Sequence, residues 1–410
     1  MKVEKMVQGT NYTELVDCVA CNGNNLQSIL DLGNQPLAND FVDSNEEFET
    51  YPLELMHCLS CSHSQISVSV NPSRLFREYS YVSSTSETLD NYFDILANKI
   101  LLEFGPSGKI LDIGSNDGSF LTKFLKTNWS SIGIDPAINL IPSSLAAGIL
   151  TIPSFFNQSV AKVIASDFDV IVAMNIFAHT SDPLEILLSM KHCLKEDGRI
   201  YIQTSQADMF LTGQFDTVYH EHISFFNVKS MKILLERSGL YLANATIVPI
   251  HGGSYLWEIT KSPLTKSPID REVYEEQMGF YTEKLYKNFS NTAETCALQV
   301  KNIVKEFREN NYSIVSYGAA AKGNTFINYS GIKLDHIFDD TPQKIGRRSP
   351  AGGCLVSNPE TLRKIESPVL IVCPAWNFRE EIFRKVRMYR TNKNDQFLTY
   401  FPEISLLNLM

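Results

Sequence analysis

Tyr219-His220-Glu221-His222 places a phenol, two imidazoles and a carboxylate in consecutive positions, ahead of the aromatic pair Phe225-Phe226. A neutral imidazole titrates near working pH and a neighbouring carboxylate can orient a partner or relay a proton, so this set suits acid–base work. An H-x-H pair can also hold a metal, but the helix-borne H-E-x-x-H of zinc proteases is absent. Histidines on a surface loop are the plain alternative. Position decides against it: the segment follows Arg199–Gln203, read as the fifth strand of an α/β sheet, and ligands meet at strand ends. His222 is the expected base, with Glu221 as relay and Tyr219 and His179 as hydrogen-bond donors to substrate oxygens. His220 is read as structural, because neighbours in an extended segment point to opposite sides.

A second set is sulfur. Cys18-Val-Ala-Cys21 and Cys58-Leu-Ser-Cys61 are two C-x-x-C turns, each able to aim two thiolates at one point. Two such turns supply the four ligands of a tetrahedral zinc ion. The other four cysteines are scattered, which argues against a disulfide framework. Four sulfurs leave no open coordination position, so the expected metal is structural. His57 and His63 flank the second turn and are the weaker alternative ligands.

A third set is the loop Asp112-Ile-Gly114-Ser-Asn116-Asp-Gly118, which follows the apolar run Lys109–Ile113. Glycines let backbone approach a ligand, and a helix start offers free N–H groups. Asp135 comes next, at the tip of the run Ser131–Ile134, where an acid can take both hydroxyls of an adenosine ribose. The spacing is D-x-G-x-x-x-G rather than the G-x-G-x-x-G of dinucleotide sites. The loop resembles motif I of the class I methyltransferases and Ala173–His179 a later one, and that resemblance implies that Asp112, Gly114, Asn116, Gly118, Asp135 and Asn175 meet at the cofactor.

The elements that must position these residues alternate. Lys109–Ile113, Ser131–Ile134, Asp169–Met174 and Arg199–Gln203 read as strands; Ser119–Lys126, Pro183–Leu194 and Val228–Ser238 read as helices. Such alternation predicts a doubly wound, largely parallel sheet. A long helical region over Glu272–Glu309 leads to a second series: Ser313–Ser316, Lys322–Asn328, His336–Phe338, Val369–Val372 and Arg379–Tyr389. Three domains are expected, at 1–70, 71–262 and 263–410. In the last, Tyr317-Gly-Ala-Ala-Ala-Lys322-Gly-Asn324 has the layout of an anion site: a strand, a small-residue turn and a helix start. A tight strand–helix connection would read the same way.

Bulk properties narrow the function. The 410 residues are 44% hydrophobic and 20% charged, as in an ordinary globular protein. A net charge of −10 argues against non-specific nucleic-acid binding. The polar stretch Met1–Tyr12 does not read as a signal peptide, and no run approaches membrane-span length, so a cytoplasmic location is expected.

Taken together, the two cysteine turns, the glycine loop, Y-H-E-H, His251-Gly-Gly-Ser254 and Tyr317–Asn324 resemble the three-domain sugar C-methyltransferases. The loop is similar to motif I of the class I methyltransferases, and Ala173–His179 and Glu196–Ile200 resemble their later motifs. The resemblance implies a Rossmann-like methyltransferase core between a small zinc-binding domain and a Rossmann-like C-terminal α/β domain. It also implies S-adenosylmethionine and a structural zinc ion. The implied substrate is a nucleotide-linked 4-keto-6-deoxy sugar, methylated at carbon 3, with carbon 5 as the alternative. The further expectations are no nucleic-acid partner, no membrane and a monomer. Tyr79 and Tyr81 are expected over the substrate, and His251, Ser254, Lys322 and Asn324 in contact with it. The chain departs from the family after Ser254, where Tyr-Leu-Trp257 replaces the usual leucine and arginine. Two other classes stay open: a methyltransferase acting on oxygen or nitrogen, and a nicotinamide-dependent sugar oxidoreductase. A catalytically dead zinc-stabilised binding module is the most distant reading.

Overall fold

A computed structural model describes residues 5–6, 11–43, 46–79, 81–164, 166–263 and 269–409. Most of the polar opening stretch, Met1–Thr10, therefore lies outside the described residues. The chain forms two compact units that do not follow sequence order. The first takes Met1–Gln27, Met56–Ala207 and Glu221–Tyr281; the second takes Ser28–Leu55, Asp208–His220 and Thr282–Met410. The cut falls inside the Y-H-E-H segment, leaving Tyr219 and His220 in the second unit and Glu221 and His222 in the first.

The elements of the first unit that frame the site include β1 (Ser64–Ile66), α1 (Glu87–Phe104), β2 (Ser107–Ile113), β3 (Asn128–Ile134), β4 (Thr151–Ile152), β5 (Phe168–Met174), α2 (Pro183–Cys193), β6 (Leu194–Ser205), β7 (Ser224–Phe225), α3 (Val228–Ser238), β8 (Tyr241–Val248), β9 (Ser254–Thr260) and α4 (Asp270–Gln277). The main sheet has the order β8-β9-β6-β5-β2-β3-β4. The five strands from β6 to β4 are parallel, while β9 runs antiparallel to both its neighbours.

Side chains alternate across each strand, and here both faces are buried. Ile110, Val170, Val172 and Tyr201 face one core with Leu89, Phe93, Leu96 and Ile100 of α1. Leu111, Ile171, Ala173, Ile200 and Ile202 face the other, with Leu187 and Met190 of α2 and Met231, Leu234 and Leu235 of α3. Burying each such side chain stabilises by about 1.5–3 kcal/mol, which explains the continuous apolar runs. Ends are marked locally. Ser86 caps α1 through Leu89 N, and Asn227 and Ser230 form a reciprocal capping box on α3.

The sheet order reverses between β2 and β5, because β2 leads outward to β3 and β5 leads the other way to β6. A crevice at such a switch point is where doubly wound sheets take ligands. The glycine loop follows β2 and Asn175–His179 follows β5, so topology alone brings both to it.

Two expected elements differ. The helix expected over Ser119–Lys126 shrinks to a 3-10 turn, Leu121–Phe124. Thr127 ends it early, donating both its N–H and its hydroxyl to the Phe124 carbonyl. The helical region expected over Glu272–Glu309 is divided into α4 and α5 (Glu283–Glu309), with Gly279 in the left-handed region at φ 80° between them.

The second unit holds α5, β10 (Ser313–Tyr317), α6 (Ala321–Ser330), β11 (His336–Phe338), β12 (Val356–Ser357), β13 (Val369–Val372), α7 (Arg379–Tyr389), β14 (Gln396–Thr399) and β15 (Ser405–Asn408). Its sheet order is β12-β11-β10-β13-β14-β15, parallel except for the last pair. Helix α5 buries Tyr286, Phe289, Ala293, Cys296, Ala297, Val300 and Val304, a stripe at helical spacing.

Candidate active site and metal centre

The two cysteine turns fold alike. In each, the N–H four residues on donates to the first cysteine's carbonyl (Asn22 to Cys18, 2.7 Å; Ser62 to Cys58, 2.8 Å). In each, that donor residue has φ 62°. The first cysteine's own N–H donates to the next carbonyl, of Gly23 or His63, at 2.8 Å. Cys18 Sγ lies 3.5 Å from Cys61 Sγ and Cys21 Sγ 3.6 Å from Cys58 Sγ, with all four sulfurs within 4.8 Å of one another. Zinc–sulfur bonds of ~2.3 Å require tetrahedral sulfurs somewhat under 4 Å apart, so the group fits zinc. His63 lies apart from this set, its buried ring against Phe226.

The glycine loop is shaped for close approach. Gly114 has φ 75°, and a Cβ there would collide with the Ile176 side chain at the end of β5. Asn116 and Asn175 also take positive φ, 52° and 58°, an uncommon state for non-glycine residues that clusters at functional sites. Asp135 receives Asn116 N at 2.7 Å on one oxygen and Ala137 N at 2.8 Å on the other. Asp112 is buried, which with the charge of Asp135 pushes its carboxyl up to about 8.

Buried polar atoms without a hydrogen-bond partner among the described residues gather at these strand ends. They are Asp112 Oδ1, Ser115 Oγ, Asn175 Oδ1, both amide atoms of Gln203, and Gln206 Oε1. Buried polar groups are normally satisfied, so such a cluster marks a place where a polar ligand sits. This fits S-adenosylmethionine, whose amino acid portion and ribose need acceptors and donors in a confined space.

The segment carrying Tyr79 and Tyr81 lies over this loop. Asn116 accepts from Ser83 N at 2.9 Å and donates to the Tyr81 carbonyl at 3.1 Å, while Asp117 accepts from Ser84 N. Asn139 pairs with the Tyr79 backbone through both its amide atoms. The Tyr79 hydroxyl donates to Glu221 Oε2 at 3.1 Å. Next to Glu221, the His222 ring stacks on His179 with centroids 5.3 Å apart, and His179 stacks in turn on Phe76. Burial pushes His179 down to about 4, so its ring is neutral at pH 7. Ser254 donates to the Ile250 carbonyl, and His251 has φ 55° in the turn before β9.

In the second unit, Lys322 lies at the start of α6 with Nζ 4.8 Å over the Trp376 ring. Burial pushes its amine down, opposed by the charge of Asp216, and burial pushes Asp216 up to about 6. Trp376 Nε1 donates to Asp216 Oδ2 at 2.8 Å, and Asp216 Oδ1 has no partner among the described residues. Asn324 donates to the Ala38 carbonyl and accepts from Ser349. His220 contacts the Pro52 carbonyl at 3.1 Å and the edge of Tyr51, in keeping with a structural part. A cavity of about 650 Å³ bounded by Asn34, Phe48, Asn328, Tyr329 and Arg348 contains none of the expected site residues.

Gln203 and Gln206 were missed by sequence reasoning. The available signal was the polar run Gln203-Thr-Ser-Gln206 ending an otherwise apolar buried strand.

Three family models match the chain in succession: "Putative zinc binding domain" over residues 18–76, "Methyltransferase domain" over 87–244, and "C-methyltransferase C-terminal domain" over 249–402. The C-methyltransferase NovU of Streptomyces niveus is 26% identical over 407 residues, spanning 94% of this chain and 96% of that protein. A tRNA U34 carboxymethyltransferase of Dichelobacter nodosus is 30% identical over 138 residues, 30% of this chain and 41% of that protein. A zinc-binding module, a methyltransferase core and a C-terminal domain found in C-methyltransferases thus follow one another along the chain, the make-up of an S-adenosylmethionine-dependent C-methyltransferase.

Proposed function

We propose that the chain methylates a ring carbon beside the ketone of a nucleotide-linked keto-deoxy sugar, at carbon 3 of a 4-keto-6-deoxyhexose. The observation that carries this reading is the half-buried Tyr79–Glu221 contact beside the His179–His222 stack, next to the glycine loop. A ring carbon becomes a nucleophile only after losing its proton, and a neighbouring ketone makes that proton acidic by taking the charge as an enolate. A methyltransferase acting on oxygen or nitrogen needs a base for the departing proton but no donors for an enolate.

His222 removes the proton. Glu221, held by the Tyr79 hydroxyl, orients the substrate or passes the proton onward. His179, kept neutral by burial, donates an N–H to the enolate or to a sugar hydroxyl. Asp112, Gly114, Asn116, Gly118, Asp135 and Asn175 hold S-adenosylmethionine, which supplies an electrophilic methyl group. Tyr81, His251 and Ser254 shape the sugar side, whereas the expected part of Asn324 falls away, because Ala38 and Ser349 occupy both ends of its amide.

The test is incubation of the enzyme with methyl-labelled S-adenosylmethionine and nucleotide-linked 4-keto-6-deoxyhexoses. Mass spectrometry and NMR of the product should show a new C–CH3 on the ring. A label released by mild acid as an O-methyl sugar would overturn the carbon assignment.

A further inference from the structure

Gln206 directly follows β6 in an unusual state. Its backbone has φ 67°, held where Ala207 N donates to the Gly253 carbonyl at 3.1 Å and Ser205 pairs with Ser254. Non-glycine residues adopt this region at a cost, and persist there when the surroundings enforce it. The side chain is 7% exposed, and its amide nitrogen sits 3.2 Å from His222 Nδ1. Its carbonyl oxygen, Oε1, has no partner among the described residues.

The two ends of a carboxamide have nearly the same size, so one site admits either orientation. With Nε2 toward the ring, the amide donates to Nδ1, and a neutral imidazole must then carry its proton on Nε2. That tautomer has its free lone pair already engaged and is no base toward a substrate. With Oε1 toward the ring, the amide accepts from Nδ1–H, and the Nε2 lone pair is left to take a proton. The amide NH2 then points where Oε1 was, as a buried donor for an oxygen of the bound substrate.

We propose that Gln206 is a positioning residue that holds His222 as its Nδ1–H tautomer and so makes Nε2 the base atom. The proposal rests on the assignment of His222 as the base. It also gives the His251–Ser254 turn a part: this turn fixes the backbone from which Gln206 reaches the ring. Titratable groups near His222 include His179, stacked on its ring, and the neighbouring Glu221, which accepts from the Tyr79 hydroxyl.

The test compares Gln206→Met, Gln206→Glu and His222→Asn in the full-length zinc-loaded chain. Methionine is unbranched and tolerates the same backbone. Nitrogen-15 NMR of histidine-labelled enzyme with S-adenosylhomocysteine should show Nδ1–H on His222 in the wild type and a shift toward Nε2–H in Gln206→Met. Solvent exchange of the substrate ring proton should slow by about ten- to a hundredfold in Gln206→Met, with KM little changed. In Gln206→Glu a carboxylate would stabilise the charged ring, so the acidic limb of the kcat/KM profile should move up by about one pH unit. Unchanged melting temperature and S-adenosylhomocysteine affinity will show that each variant is folded. If Gln206→Met exchanges at the wild-type rate while His222→Asn does not, the positioning role is overturned and the base stands. If both exchange normally, the base assignment has failed and the proposal falls with it.

Discussion

The ring of His63 lies 4.7 Å from the ring of Phe226, so the chain two residues past the second cysteine knuckle packs against the segment that follows His222. The same two segments pair as strands, Ser64 with Phe225 and Gln65 with Ser224. Asn227 adds a bond from its side-chain amide to the Ser62 carbonyl at 2.5 Å, and Phe226 continues to Phe177, two residues from His179. The metal knuckle therefore forms one wall of the unit that carries the candidate base.

From this packing we expect one zinc ion per chain by elemental analysis of protein purified without chelator. Stripping the metal should lower the melting temperature and raise hydrogen exchange at 64–66 and 223–226 together. Cys58→Ser should destabilise by roughly 4 kcal/mol or more, the range reached when a structural metal is lost. A metal-free protein of unchanged stability would overturn the assignment.

Asp112 sets a pH dependence. In the folded chain its carboxyl keeps its proton up to about pH 8, whereas the unfolded chain loses it near the ordinary value of 3.8. Between those limits the folded state binds more protons, so cofactor-free stability should fall as pH rises from about 4 to about 8. Asp112→Asn should flatten that decline in thermal melts. A cationic cofactor favours the ionised carboxylate, so binding at pH 7 should release a proton. Calorimetry in two buffers of different ionisation enthalpy reads this directly, and equal heats would refute it.

Asp135→Ala should weaken S-adenosylmethionine by about 1–3 kcal/mol, since a charged acceptor is removed. Its carboxylate also ties the backbone of Asn116 and Ala137. Asp135→Asn keeps acceptor capacity and should lose less. Unchanged calorimetric affinity in the alanine variant would remove Asp135 from the ribose.

His222→Asn should bind cofactor and substrate as the wild type does and lose about 10²–10⁴ of turnover, the usual contribution of a positioned base. In heavy water with S-adenosylhomocysteine, the wild type should exchange the acidic ring proton and the variant should not. Exchange at the wild-type rate in the variant would move the role to Glu221 or His179.

Much of this molecule is legible along the chain. Apolar runs set β2, β5 and β13 nearly to the residue, and the stripe ending at Gly239 sets α3 at Val228–Ser238, because strand and helix periodicities act within ten residues. The C-x-x-C spacing identified all four sulfurs that meet at one point, and the glycine spacing located the loop beside Asp135. Tertiary structure alone decided what lies between distant segments. Tyr79 reaches Glu221 across 142 positions, and Gln206 meets His222 only because β6 ends beside a turn braced by Gly253. It also shortened the helix after the glycine loop and took up the Asn324 amide in contacts with Ala38 and Ser349. Local sequence encodes which face of an element is apolar. Which polar side chains converge on that element's end depends on strand order, and strand order is set by packing between parts of the chain that no short window contains.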